Sequence, residues 1–99
     1  MTAMRDTVDQ AAGLLVIAAL LHDRHRIGSA LVFEPGDVVA LHTPGMSVVY
    51  AVGGYDVWSV PTAEHPAQLV EPTDLTDAQV VTVCLAAAEH VRAARAARQ

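Results

Sequence analysis

The sequence predicts an α+β fold, in which a small barrel or a bent antiparallel sheet of four to five short strands is flanked by an N-terminal and a C-terminal helix. Helical periodicity with a capping-box start occurs near both ends of the chain. Between them, over about residues 30–71, the period shortens to that of strands divided by turn residues. A length of 99 residues suits one hydrophobic core, so we expect a single domain over residues 1–99.

The first helix is predicted over about residues 8–26. Thr7-Val8-Asp9-Gln10 is a capping-box pattern, and Gly28 can cap the other end. The helix is apolar all round, which is typical of a buried helix. We expect one stripe to pack on the strands: Val8, Ala12, Leu15, Val16 and Ala19.

The opposite stripe of this helix then needs a partner, because a 99-residue chain has much surface for its volume. That partner is the C-terminal helix or the same helix of a second copy. Helix-mediated homodimerisation is therefore predicted, because a two-fold interface would bury the extra stripe. Its residues are Leu14, Ile17, Ala18 and Leu21.

Four strands are predicted at residues 30–33, 38–42, 46–52 and 55–60, with a possible fifth at 68–71. Glu34-Pro35-Gly36-Asp37 and Thr43-Pro44-Gly45-Met46 suit type II turns, because proline fixes the second position and glycine accepts positive φ at the third. Gly53-Gly54 suits a two-residue hairpin loop.

The C-terminal helix is predicted over about residues 77–97, opened by the capping box Thr76-Asp77-Ala78-Gln79. Its core-facing stripe should contain Val81, Cys84, Leu85, Ala88 and Val91. A nucleophilic cysteine needs a base or a positive neighbour. His90 lies about 240° further round the helix than Cys84, so Cys84 is interpreted as a small buried hydrophobe.

One order of motifs extends over residues 33–75: Phe33-Glu34-Pro35-Gly36-Asp37-Val38-Val39-Ala40-Leu41, Met46-Ser47-Val48-Val49, Trp58, Pro66-Ala67-Gln68-Leu69-Val70 and Leu75. This order resembles the small SH3-like barrels of uncharacterised bacterial proteins, the YodC-like family among them. The resemblance implies a small SH3-like barrel and no reaction, because that family offers no catalytic residues to carry over. His42-Thr43-Pro44-Gly45 replaces the lysine and the Ser-Gly-Gly-Pro stretch of the family.

Composition narrows the possible functions. The net charge of −5 argues against loose binding to phosphate backbones, and the single cysteine excludes an internal disulfide. The longest apolar run, residues 11–21, is too short to span a bilayer and lacks the flanks of a signal peptide, so we expect a cytoplasmic protein. All six basic residues are arginine, a bias typical of a high-GC bacterium or its phage.

Three groups of residues are candidates for a site. His22 and His25 could offer two metal ligands, with His42 or His65 as a third, which would suit a metal-dependent enzyme; the alternative is that they cap a helix end. Exposed arginines could contact nucleic acid in a small regulator, or simply complement helix dipoles. These are Arg24, Arg26, Arg92, Arg95 and Arg98.

The third group is aromatic: Tyr50, Tyr55 and Trp58 lie around the Gly53-Gly54 hairpin. They could form a groove for a partner, since tyrosine and tryptophan are favoured interface anchors, or pack on their own core. No nucleotide-binding, metalloprotease or hydrolase motif occurs, so neither a cofactor nor catalysis is expected. We therefore predict a non-catalytic protein-interaction or regulatory module.

Overall fold

A computed structural model describes residues 6–51 and 53–98 and shows an α+β fold. Four strands form one antiparallel sheet in the order β1-β2-β3-β4, and the helices share a hydrophobic core with one face of it. The elements are α1 (Thr7–His25), β1 (Ala30–Glu34), β2 (Val38–Thr43), β3 (Met46–Tyr50), β4 (Tyr55–Ser59) and α2 (Asp77–Ala97).

The sheet is open, so the predicted barrel is wrong and the alternative of an antiparallel sheet is correct. β1 and β4 lie at opposite edges and do not pair with each other. The predicted fifth strand at 68–71 is reduced to a bridge between Leu69 and Trp58, although Val70 N–H also donates to the Val57 carbonyl at 2.8 Å. Proline has no N–H to give to a ladder, and Pro66 and Pro72 bracket this segment.

The predicted turns between β1, β2 and β3 are confirmed. Gly36 and Gly45 have φ of 82° and 80°, which glycine adopts at low cost. The hairpin between β3 and β4 is also present, and β3 ends at Tyr50 rather than at Val52. Val52 itself lies outside the described residues.

Both predicted caps of α1 are wrong, although its span is close to the prediction. Asp6, not Thr7, is the N-cap: its side chain accepts a hydrogen bond from the Asp9 N–H at 2.9 Å. Arg26, not Gly28, ends the helix in the left-handed conformation with φ of 56°. Gln10 does not close a capping box, because its side chain turns into the protein, as described below.

The stripe of α1 that was predicted to pack on the strands is the exposed one, whereas the other stripe packs on the sheet and also on α2, one of its two predicted partners. Leu14, Ile17 and Leu21 are 0% exposed, whereas Val8 and Leu15 are 74% and 54% exposed. α1 contacts both the sheet and α2, so the stripe of long aliphatic side chains fills the space between three elements. The predicted dimer interface of Leu14, Ile17, Ala18 and Leu21 is therefore wrong, since these residues belong to the chain's own core or pack against it.

The start of α2 is as predicted. Thr76 Oγ1 accepts from the Gln79 N–H, and Gln79 Oε1 accepts from the Thr76 N–H at 2.9 Å. Cys84 and Ala88 are buried as expected, but the third buried residue is Val80, one position before the predicted Val81. Neither α1 nor α2 has the length and apolarity that a helix crossing a bilayer requires, within the described residues.

Candidate functional site

The face of the sheet that carries no helix forms a cleft with a volume of about 830 Å³. Side chains alternate between the two faces of a strand, so each strand gives every second residue to the core and the others to this face. We call it the open-face cleft. The strand residues that alternate to this face and line the cleft are Glu34, Val38, Ala40, His42, Ser47, Val49, Asp56 and Trp58.

The cleft is mainly apolar. Ala40 and Val49 lie on its strands, and Val60, Pro61 and Ala67 line it from the segment that follows β4. A few polar groups interrupt this surface, which is the composition of a typical binding site.

The charges that line the cleft are mainly acidic. Glu34 Oε1 lies 3.7 Å from His42 Nε2, and both side chains are about half exposed, so this pair contributes little to stability. Asp56 Oδ1 accepts a hydrogen bond from the Asp74 N–H at 3.0 Å. No arginine or lysine lines the described cleft.

Trp58 is held in place by backbone pairing on both sides of β4. It lies opposite Ser47 on β3 and forms the bridge to Leu69 on its other side. Its side chain is 39% exposed, so it presents an aromatic surface to the cleft while part of the ring remains in contact with the protein.

Comparison of the chain with family models, with curated proteins and with solved structures finds no match. The resemblance to the YodC-like family stays a prediction. The nature of the site is therefore argued from its own residues.

The three aromatic residues predicted as one group are separated by the sheet. The rings of Tyr50 and Tyr55 are stacked, with centroids 4.4 Å apart. Tyr55 is buried, and its hydroxyl donates to the Gly13 carbonyl on α1 at 3.0 Å. Tyr50 also borders the cleft, but only Trp58 projects from the open face. Tyr50 and Tyr55 thus anchor α1, and Trp58 is the one candidate anchor for a partner.

The predicted histidine pair has no third ligand nearby. His22 is exposed and lies 3.3 Å from the carboxylate of its neighbour Asp23. His42 faces Glu34, and His65 lies in the exposed segment after β4. Within residues 6–51 and 53–98, no three side chains of histidine, cysteine, aspartate or glutamate are grouped to hold a metal ion.

Cys84 is a residue of α2, and its side chain lies in the hydrophobic core. Burial raises the pKa of its thiol, and the neighbouring Thr43 side chain has a smaller opposite effect. A thiol with a raised pKa and no exposed surface is a poor nucleophile.

The five arginines considered for nucleic-acid contact are all exposed, and they lie at the C-terminal ends of two helices. Arg24 and Arg26 are at the end of α1, and the others are in the last turns of α2. The structure shows where they lie but does not indicate a ligand, so a nucleic-acid-associated regulator stays a prediction.

A second apolar surface lies where α1 meets the outer edge of β1. We call it the edge patch: Val8, Ala11, Ala12, Leu15 and Phe33. Phe33 is 67% exposed, although the alternation of side chains along β1 places it on the helix side of the sheet. The only sign of this patch in the sequence is the apolar stripe of α1 that was predicted to pack on the strands.

Sequence reasoning also missed the polar part of the cleft. Glu34, His42 and Asp56 lie on three different strands, and only the pairing of those strands brings them to one surface. The available signal was the alternation in β4, where Asp56 and Trp58 alternate with Tyr55 and Val57.

Proposed function

We propose that this chain is a non-catalytic protein-interaction module that binds an apolar, positively charged segment of a partner protein in the open-face cleft. The observation that carries the proposal is that one whole face of the sheet bears no helix and forms an apolar cleft of about 830 Å³ with Trp58 at its surface. The cytoplasmic location predicted from the sequence is part of this proposal.

The size and composition of the cleft support binding. Ligand sites in proteins are concave, mostly apolar and interrupted by a few polar groups, and this cleft has all three properties. Tryptophan is enriched among the residues that dominate binding energy, particularly where it is partly enclosed. A tryptophan fixed by pairing on both sides also loses little conformational entropy when a partner binds.

The charge of the lining supports a basic partner. Glu34 and Asp56 line the cleft, and among residues 6–51 and 53–98 no arginine or lysine lines it with them. A lysine or arginine in the partner would complement these carboxylates, whereas an acidic partner would be repelled.

The same polar groups are better suited to orienting a ligand than to proton transfer. Glu34 and His42 are about half exposed to solvent, and Asp56 already accepts a backbone hydrogen bond. This environment favours a binding role.

The test is a peptide-display selection on the wild-type protein, followed by measured affinities for the enriched peptides. We expect peptides that combine apolar residues with lysine or arginine. Trp58→Ala should weaken their binding by about 30-fold or more, because loss of an anchor residue costs at least about 2 kcal/mol. Trp58 is the only tryptophan, so its fluorescence reports occupancy of the cleft directly.

Val16→Ala is the matched control, because Val16 is also a half-exposed apolar residue but lies on α1. It should bind the peptides as the wild type does. Asp56→Asn should remove the preference for basic peptides. Equal binding by the Trp58 and Val16 variants, enrichment of acidic peptides, or binding of small apolar molecules without any peptide would each overturn the proposal.

A further inference from the structure

The two edges of the sheet differ in how far they are covered. The outer edge of β4 is partly paired by the segment that follows it: Tyr55 exchanges two backbone hydrogen bonds with Leu75, and Ser59 N–H donates to the Gln68 carbonyl. The outer edge of β1 has no strand partner within the described residues. An uncovered edge strand is a template for pairing with another chain.

The free edge lies next to the edge patch. Phe33 and Leu31 alternate to the helix side of β1, where the first two turns of α1 contact Phe33. The start of α1 lies near the C-terminal end of β1. Residues 26–29 connect the end of α1 to the N-terminal end of β1, so the helix and the strand run in opposite directions. Any strand that pairs with β1 would also approach the exposed side chains of Val8 and Leu15.

We propose that a second copy of this chain occupies this surface, with the two β1 strands paired antiparallel about a two-fold axis at Val32. In this register Leu31 lies opposite Phe33 of the second copy, and Ala30 lies opposite Glu34 of the second copy. The two four-stranded sheets become one continuous sheet of eight strands.

The charge and side-chain pattern of β1 fits its own copy. Glu34 is the only charged residue of the strand, and the register places it opposite alanine rather than opposite another glutamate. The apolar pair of Leu31 and Phe33 forms twice, on the same side of the sheet as the edge patch.

The helices also fit this arrangement. The two-fold axis places the two α1 helices antiparallel on the same side of the eight-stranded sheet. Exposed side chains of Val8, Leu15 and Phe33 from both copies would then cover each other. This dimer uses the stripe of α1 that the core leaves exposed, and does not use Leu14, Ile17 or Leu21.

The first test is the mass of the full chain by light scattering over a range of concentrations. We expect the mass of two chains at about 100 µM, a concentration at which weak but specific interfaces are occupied. Phe33→Glu should raise the dissociation constant at least about 10-fold, because it places a charge on the edge patch opposite an apolar residue. Its circular dichroism should stay that of the wild type, since Phe33 is mostly exposed. Trp58→Ala is the matched control and should remain dimeric.

The second test reads the register and does not depend on the stability of a charged variant. In a Cys84→Ala background, Val32→Cys should form a disulfide-linked dimer on mild oxidation, because directly opposed residues have close Cβ atoms. His65→Cys, in the exposed segment after β4, is the control and should crosslink much more slowly. A monomeric wild type at about 100 µM, a Phe33→Glu protein that dimerises normally, or equal crosslinking of the two cysteine variants would overturn the proposal.

The outcome is separable from that of the proposed function. Phe33→Glu should bind the selected peptides as well as the wild type does, and Trp58→Ala should lose peptide binding while it still dimerises. Phe33 lies on the helix side of the sheet and Trp58 on the open face, and Glu34 is the residue that the two proposed surfaces share. Because each variant changes only one surface, one proposal can fail while the other holds.

Discussion

At the scale of single residues, Gln10 positions α1 on the sheet through two hydrogen bonds. It is 2% exposed, and its amide nitrogen donates to the Asp37 carbonyl while its oxygen accepts from the Val39 N–H, both at 2.9 Å. One side chain thus satisfies two backbone groups at the β1–β2 turn. The sequence pattern assigned Gln10 to a capping box, because a capping box needs only residues that are close together in the chain. The hydrogen bonds that Gln10 forms instead are to residues 27 and 29 positions away.

Gln10→Ala should therefore lower the free energy of unfolding by about 2 kcal/mol, because it leaves the buried Val39 N–H without its side-chain partner. Urea denaturation followed by circular dichroism measures this change. Thr7→Ala is the control: Thr7 is the N-cap that the sequence predicts, but Asp6 fills that position, so the loss should stay within about 0.5 kcal/mol. A loss at Thr7 equal to that at Gln10 would contradict this account.

Cys84 gives the protein a dependence on alkaline pH. Its pKa is raised in the folded state above the ordinary value of 9.0, because burial disfavours the thiolate. The unfolded chain therefore loses this proton at a lower pH than the folded chain does. The stability that the neutral thiol contributes is complete below about pH 9 and falls as the pH rises through the folded pKa.

We expect the free energy of unfolding to fall less steeply between about pH 8 and pH 10 in Cys84→Ala than in the wild type. Chemical denaturation at a series of pH values measures the two slopes, and the other titrating groups are common to both proteins. Parallel slopes would show that the thiol does not titrate differently on unfolding.

At the scale of elements, α1 approaches the β3–β4 hairpin most closely at Gly13. A Cβ atom at this position would overlap the ring of Tyr50, which is stacked on Tyr55 and cannot move away freely. Tyr55 in turn donates its hydroxyl hydrogen bond to the Gly13 carbonyl. A glycine in mid-helix normally lowers helix stability, and here it permits this contact.

Gly13→Ala should destabilise the protein by about 1–3 kcal/mol, because overpacking outweighs the gain in helix propensity. Thermal denaturation measures the change in Tm. Gly28→Ala is the matched control, since a Cβ at Gly28 meets nothing within 4 Å, and its Tm should be unchanged or slightly higher. An increase in Tm for Gly13→Ala would mean that the helix can shift away from the two tyrosines.

The comparison of the two capping boxes explains which element ends can be read from sequence. The motif at Thr76 is exposed, and both of its hydrogen bonds form within α2, so local chemistry decides the outcome. The same pattern at Thr7 fails because Gln10 has a better buried partner. Strand positions were predictable for the local reason too, because their turns contain Gly36, Gly45 and the Gly53-Gly54 pair.

At the scale of the whole molecule, the order of elements follows from the sequence, but the use of their faces does not. An apolar helix such as α1 has no pattern that distinguishes its inner stripe from its outer one. The decision depends on α2, which is separated from α1 by more than 50 residues. Barrel closure could not be predicted from local sequence patterns either, because it depends on whether β1 and β4 pair with each other.

The candidate site was predictable only in part. Trp58 could be identified as a surface aromatic from its residue type and its position near a hairpin. The cleft around it could not, since Glu34, His42 and Asp56 come together only through the register of three strand pairings.

The one-sided placement of the helices makes this chain suitable as an engineering scaffold. Stability depends on the residues between the sheet and the helices, so the exposed positions opposite them can be varied with small effect on folding. A library randomised at His42, Ser47, Asp56 and Trp58 would present four adjacent side chains on rigid strands rather than on loops. New specificities could then be selected on an unchanged core.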